Sequence, residues 1–277
     1  MKPIVYAVRA LPGGIPPEVK SGADLRGGEE RPPPRERIHA EGREAELLVV
    51  TYLDRVDDAL LEGLPAVRQV SSYGVGVNHV DLPAMNRRGI VVTNTPDVVT
   101  DATADMAMAL LLASARRVAE GDRLIRAGGW RDAGAAFLLG REVSGKTLGI
   151  VGFGRIGQAM ARRAAGFGMR ILYTSPRDAG VPGTTRVGLD ELLASSDFVS
   201  IHCPLTDTTR DLISRERIAR MKPGAILVNT SRGPVVDEEA VADALEEGRL
   251  FAAGLDVFRD EPRVPDRLRR AENAVLT

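Results

Sequence analysis

Leu148-Gly149-Ile150-Val151 runs into Gly152-Phe153-Gly154-Arg155-Ile156-Gly157 and then into Gln158-Ala159-Met160-Ala161. Three glycines at GxGxxG spacing between an apolar run and a helical start form a turn that can wrap a dinucleotide pyrophosphate. Gly152 permits the tight turn, Gly154 lets the backbone approach the phosphates, and Gly157 lets helix and strand pack closely. The helix start then turns free amides and its positive dipole end towards the anion. Phe153, Arg155 and Ile156 belong to the same candidate cofactor turn. The spacing alone is weak. A second strand at Arg170–Thr174 completes a βαβ unit over Thr147–Arg177, and that context makes the signal specific.

The residues after that second strand bear on which dinucleotide is taken. A unit selective for NAD carries Asp or Glu about 20 residues beyond the glycines, on the ribose 2′-hydroxyl. This chain reads Thr174-Ser175-Pro176-Arg177, and its first acid, Asp178, comes one turn late. Ser175 would not repel a 2′-phosphate and Arg177 could pair with it. NADP(H) is therefore favoured over NAD(H).

The rest of the chain must position this turn. Its 277 residues suggest two domains, and 44% apolar against 27% charged residues is a globular balance. A net charge of -1 leaves no electrostatic footprint for nucleic acid. No apolar run is long enough to span a membrane, and the start Met1–Tyr6 does not read as a signal peptide. The single Cys203 excludes an internal disulfide and a cysteine zinc site, so no metal site is expected and a cytoplasmic location fits.

From Lys146 onward the rhythm is strand–helix. Strands are expected at Thr147–Val151, Arg170–Thr174, Phe198–Ile201, Ala225–Asn229, Ala252–Asp256 and Ala274–Leu276. Helices are expected at Ile156–Gly166, Gly188–Ser195, Ser214–Met221 and Asp237–Glu247. That alternation is the signature of a doubly wound parallel sheet. Ahead of it, apolar runs at Ile4–Val8, Leu47–Val50, Val67–Val70 and Ile90–Val92 read as strands. One long helix is expected from Asp101 to about Ala127, stopped by Gly128-Gly129. Residues 9–45 read as an irregular, solvated stretch: seven of the 17 prolines fall within the first 34 residues, and ten of the 18 residues from Glu29 to Glu46 are charged.

Further motifs carry a resemblance. They are Gly74-Val75-Gly76-Val77-Asn78-His79-Val80-Asp81, Asn94-Thr95-Pro96 with Thr100–Asp105, the glycine turn, His202-Cys203-Pro204-Leu205-Thr206, Val228-Asn229-Thr230-Ser231-Arg232-Gly233, and Gly254-Leu255-Asp256-Val257-Phe258. In this order, over Leu47–Thr277, the chain resembles the D-isomer-specific 2-hydroxyacid dehydrogenases, nearest the glyoxylate/hydroxypyruvate reductases. The resemblance implies a Rossmann-type doubly wound domain over 99–277 that binds NAD(P). It also implies a smaller flavodoxin-like α/β substrate domain over 1–98, incomplete at its C-terminal return. The implied reaction is NAD(P)H-dependent reduction of a small 2-oxo acid to the D-2-hydroxy acid, in a homodimer. Substrate would lie between the domains, with Asn94–Val99 as a hinge, and closure would exclude water. A dehydrogenase of another acid, lactate-like or phosphoglycerate-like, and a dinucleotide-sensing scaffold without turnover remain open.

The resemblance also assigns residues. Arg232 follows a buried strand at the sheet's carboxyl edge, where a guanidinium fork suits a 2-oxo acid and its developing alkoxide. Gly74, Val75 and Gly76 would cradle the substrate carboxylate with backbone amides, and Leu53 would lie near the substrate. Glu261, five residues after Asp256, matches the carboxylate that orients a catalytic His and raises its pKa. Thr103, Cys203, Pro204, Thr209, Thr230, Ser231 and Asp256 would line the cofactor cleft. The family's acid/base His follows the strand that here ends at Thr277, in a Pro-His pair, and none of His39, His79 and His202 sits in that motif. The 277-residue chain is therefore expected to be a shortened form of a longer protein. It should bind dinucleotide but reduce substrate very poorly.

Overall fold

The structure is a computed structural model that describes residues 2–131, 134 and 136–277. It divides into two compact units, Met1–Val99 and Thr100–Thr277.

In the first unit, β1 (Ile4–Ala7), α1 (Pro17–Gly22), β2 (Asp24–Gly27), α2 (Arg35–Gly42), β3 (Leu47–Thr51), α3 (Asp58–Leu61), β4 (Gln69–Tyr73), α4 (Leu82–Arg88) and β5 (Val91–Thr93) follow in order. All strand pairs are parallel, in the order β2-β1-β3-β4-β5. That is the flavodoxin-like winding. Tyr6, Leu48, Val50 and Val70 are buried from the strands, and Ile38, Leu61, Leu64 and Met85 pack over them.

Residues 9–45 are thus not irregular: they hold β2 and two helices. The edge strand β2 pairs through its backbone with Ile4–Ala7. Its ladder needs no apolar side chains, and charged Asp24 and Arg26 suit an edge that must not pair further. Helix α2 buries only Ile38 and Gly42, too narrow a stripe for an apolar period to show.

The second unit opens with α5 (Thr100–Ala115) and α6 (Val118–Arg126). The single helix expected from Asp101 to Ala127 is broken, with Arg117 in the left-handed region at φ 54°. Tertiary pairing breaks it. The Arg141 N–H donates to the Ala115 carbonyl at 2.7 Å, taking an acceptor that a continued helix would use.

Then come β6 (Thr147–Val151), α7 (Arg155–Ala165), β7 (Arg170–Thr174), β8 (Thr184–Arg186), α8 (Leu189–Ser195), β9 (Phe198–Ile201), α9 (Arg215–Arg220), β10 (Ala225–Asn229), α10 (Glu238–Glu246), β11 (Leu250–Leu255), α11 (Asp266–Arg270) and β12 (Ala274–Leu276). They form a seven-stranded sheet, β12-β11-β10-β9-β6-β7-β8, in which every pair is parallel. The three-residue edge strand β8 carries no apolar run, and β4 and β11 lie about two residues from where the apolar runs suggest. Both faces are covered. Val199, Ile201 and Leu227 meet α8, α9 and α10 side chains on one face, and Ile150, Phe198 and Val228 meet Leu110, Leu111 and Met160 on the other. Burial on both sides is why these strands read as continuous apolar runs.

Leu48 is fully buried at the centre of the first sheet. Leu48→Ala is expected to cost about 2–5 kcal/mol of stability, read from the shift in urea unfolding midpoint.

Candidate functional site

In the first unit, β3 and β4 are neighbours, with Thr51 paired to Tyr73, so their carboxyl ends lie side by side. Beyond β4, Gly74 takes φ 151°, a left-handed conformation that favours glycine. The loop is then tied by its carbonyls. Asn94 Nδ2 donates to the Val75 carbonyl at 2.8 Å and the Thr95 N–H to the Gly74 carbonyl at 3.1 Å. Ser72 Oγ and His79 Nε2, 3.1 Å apart, close its base. Among the described residues no acceptor takes the Val75 or Gly76 N–H. Carbonyls consumed and amides left over make a loop suited to an anion.

Beyond β3, Leu53 is 56% exposed. Its turn is held by buried Asp54, which accepts the Thr51 N–H at 2.8 Å and the Thr51 hydroxyl at 2.9 Å and pairs with Arg9 at 2.6 Å. Sequence reasoning alone misses Asn94, Ser72, Asp54 and Arg9 as positioning groups. Their roles depend on partners distant in the chain, except that Asp54 three residues after Thr51 is a turn pattern.

In the second unit the strand order reverses between β6 and β9, and ligands bind such sheets at that point. Gly152, at φ 92°, turns against the next strand's end. A Cβ there would stand 2.5 Å from the Cys203 amide nitrogen. A Cβ on Gly157 would stand 2.3 Å from the Gly152 carbonyl oxygen, so strand and helix touch through backbone. A Cβ on Gly154 would meet only open space at the N-cap of α7. Arg155 is exposed and Ile156 half-buried. Phe153 points inward, stacked on Tyr173 with ring centroids 3.9 Å apart. Phe153 and Cys203 are both buried, so only their backbones reach the edge. Burial pushes the Cys203 thiol up to about 11.

The other carboxyl ends converge here. Asn229 organises the turn beyond β10: its Oδ1 accepts the Ser231 N–H at 3.0 Å and hydroxyl at 2.9 Å, and its Nδ2 donates to the Arg232 carbonyl at 3.0 Å. Arg232 is half-buried, its Nη1 on the Ser231 carbonyl at 2.6 Å. Asp256, past β11, accepts the Thr277 hydroxyl at 2.9 Å. Past β9, Thr209 Oγ1 donates to the Pro204 carbonyl at 2.6 Å and accepts the Thr206 N–H at 2.7 Å, which fastens that loop. Ser175 and Arg177 lie beyond β7, half-buried and exposed respectively, and Thr103 is half-buried in the first turn of α5. Glu261 is exposed, and its Oε1 accepts the Phe258 N–H at 2.9 Å. His39 bonds the Leu60 carbonyl, His79 the Ser72 hydroxyl and His202 the Ser200 hydroxyl.

Two enclosed polar atoms on this edge, Thr230 Oγ1 and His202 Nδ1, have no hydrogen-bond partner among the described residues. With the open space over Gly154, they fit a bound dinucleotide, whose polar groups would meet donors and acceptors otherwise orphaned. Among the described residues no group of three or more His, Cys, Asp or Glu could hold a metal, and no helix is long and apolar enough to cross a membrane.

A parallel sheet with a glycine turn and a ring of polar strand ends at its point of reversal defines a dinucleotide-binding domain. The chain belongs to the D-isomer specific 2-hydroxyacid dehydrogenases: the model of that family's NAD binding domain matches residues 108–277. It is similar to the glyoxylate reductase of Pyrococcus furiosus, 47% identical over 287 residues that span 100% of this chain and 85% of the relative. Among solved structures it is similar to a protein from Thermus thermophilus, with TM-score 0.91, 44% identity, and coverage of 99% of this chain and 88% of the other. It is also similar to an NADPH-dependent glyoxylate/hydroxypyruvate reductase from Sinorhizobium meliloti in complex with NADP and malonate, with TM-score 0.91, 31% identity, and coverage of 100% and 86%.

Burial lowers the His202 pKa from 6.5 to about 4. Below the unfolded value the unfolded chain takes up a proton that the folded ring refuses. Stability should therefore fall as pH drops from 6.5 towards 4, by about 3 kcal/mol in all. His202→Gln should flatten that part of the profile in urea unfolding between about pH 7 and about pH 4.

Proposed function

We propose that this protein reduces a small 2-oxo acid of the glyoxylate or hydroxypyruvate kind to the D-2-hydroxy acid, with NADPH favoured over NADH. The observation that carries this reading is the turn after β10, where Asn229 holds Arg232 on the same strand-end edge as Gly152–Gly157. When bound, the dihydronicotinamide supplies the hydride. The Gly152–Gly157 turn and the start of α7 hold the pyrophosphate. Thr230, Ser231 and Asp256, with Pro204 and Thr209, line the nicotinamide side, and Thr103 contributes from α5. Ser175 and Arg177 meet the 2′-phosphate. In the first unit, the Val75 and Gly76 amides receive a carboxylate, with Leu53 against the carbon chain.

Arg232 binds the 2-oxo acid and stabilises the alkoxide that forms at C2. Its planar fork suits two oxygens at once, which a lysine would not match. Glu261 orients an acid/base imidazole in this reading. The lone buried Cys203 fits a reducing, cytoplasmic setting. A homodimer is part of the same proposal. It is supported by the exposed apolar side chains of Ile125, Trp130, Phe137 and Leu139, which would be covered by a second copy.

Glyoxylate-dependent NADPH oxidation should be measurable, and Arg232→Ala should cut it by about 10²–10³-fold. Arg232→Lys should not restore it. Tight dinucleotide binding with no oxidation across a panel of 2-oxo acids would replace this reading with a dinucleotide-binding scaffold. Light scattering should give roughly twice the 29.7 kDa of one chain, and a monomer would rule out the dimer.

A further inference from the structure

The loop beyond β7 carries the first carboxylate after the glycine turn, Asp178, and that carboxylate is tied down. The Tyr173 hydroxyl donates to Asp178 Oδ1, and the Gly180 N–H donates to the same oxygen at 3.1 Å. The Tyr173 oxygen in turn accepts the Ala179 N–H at 3.1 Å. Tyr173 cannot swing away, because its ring is 1% exposed and stacked on Phe153, the residue between the first two glycines of the turn. The backbone ahead of Asp178 is tied as well. Arg186 donates to the Ser175 and Pro176 carbonyls, each at 3.0 Å, and Ser175 Oγ donates to the Arg177 carbonyl. Three successive carbonyls and one carboxylate oxygen are thus taken by the chain's own donors.

We propose that Tyr173 is a specificity-determining residue. Its hydroxyl withdraws Asp178 from ribose recognition and leaves Ser175 and Arg177 to meet a 2′-phosphate. The inference rests on the reading of this edge as the dinucleotide site. A loose Asp178 would do two things. It would repel a 2′-phosphate through like charge, and it would offer an acceptor to a ribose 2′-hydroxyl. The hydrogen bond from Tyr173 holds the Asp178 carboxyl below the usual carboxylate range, the direction expected of a carboxylate that accepts from a donor held in place. Tyr173 acts through Asp178 and need not touch the dinucleotide.

The test measures dissociation constants for NADPH and for NADH on the full chain, for the native protein, Tyr173→Phe, Asp178→Asn and the double variant. Phe keeps the ring on Phe153 and removes only the hydroxyl. The native protein should favour NADPH. Tyr173→Phe should lower the NADPH-to-NADH preference by about ten-fold or more, as expected for one charge released beside the site. Asp178→Asn should leave the preference within about three-fold. The double variant should regain it, because the released side chain then carries no charge.

Other outcomes overturn the proposal in distinguishable ways. If Tyr173→Phe leaves the ratio unchanged, or weakens both dinucleotides equally, the latch has no part in selection and the dinucleotide site stands. If Asp178→Asn costs NADH binding about ten-fold while sparing NADPH, Asp178 already contacts the ribose and is not withdrawn. A native preference for NADH sinks the latch together with the NADPH reading, and a chain that binds neither dinucleotide sinks the site itself.

Discussion

The close approach of two backbones at the point where the large sheet reverses governs the rest of that unit. Gly152 and the His202–Cys203 peptide stand so near that no side chain fits between them, and Gly157 meets the Gly152 carbonyl in the same way. Any residue with a Cβ at either place would force β6, β9 or α7 apart. The helix start would then no longer face the space beyond the strands. The strand ends of β9, β10 and β11 converge on that space because the ladder registers bring Val151, Ile201, Asn229 and Leu255 level with one another.

A second regularity recurs in both units. Loops that present amides or cations have their carbonyl oxygens consumed first. Asn94 and Thr95 take the Val75 and Gly74 carbonyls, Asn229 takes that of Arg232, and Arg186 takes those of Ser175 and Pro176. A loop whose acceptors are satisfied internally faces outward with donors alone, and it can meet an anion without reorganising. The same bonds stiffen the loops, which lowers the entropy lost when a ligand orders them.

The burial pattern explains why so much of the second unit could be read from its residues. Strands covered on both faces must be apolar throughout, so Thr147–Val151, Phe198–Ile201 and Ala225–Asn229 stand out within their helical surroundings. Two of the four edge strands escape that rule. The β2 and β8 strands are held by backbone bonds along one side, and their side chains, Asp24, Arg26, Thr185 and Arg186, carry no apolar signal. Helix α5 stops at Ala115 for a reason that lies far along the chain, at Arg141.

The sequence by itself determined the doubly wound architecture and the glycine turn, which follow from local spacing, since backbone torsions, strand burial and helix starts are dictated within a few neighbouring residues. The candidates Arg232, Glu261 and Gly74–Gly76 come from the order of motifs that carries the family resemblance, not from spacing. Only the tertiary structure decided which polar groups are already spent. Asp178 is bonded to Tyr173, Asp54 to Arg9, and Phe153 is turned inward on Tyr173, while Thr230 Oγ1 and His202 Nδ1 have no partner among the described residues. Hydrogen-bond satisfaction depends on three-dimensional proximity, and no period or spacing in a chain encodes which donor an acceptor will meet.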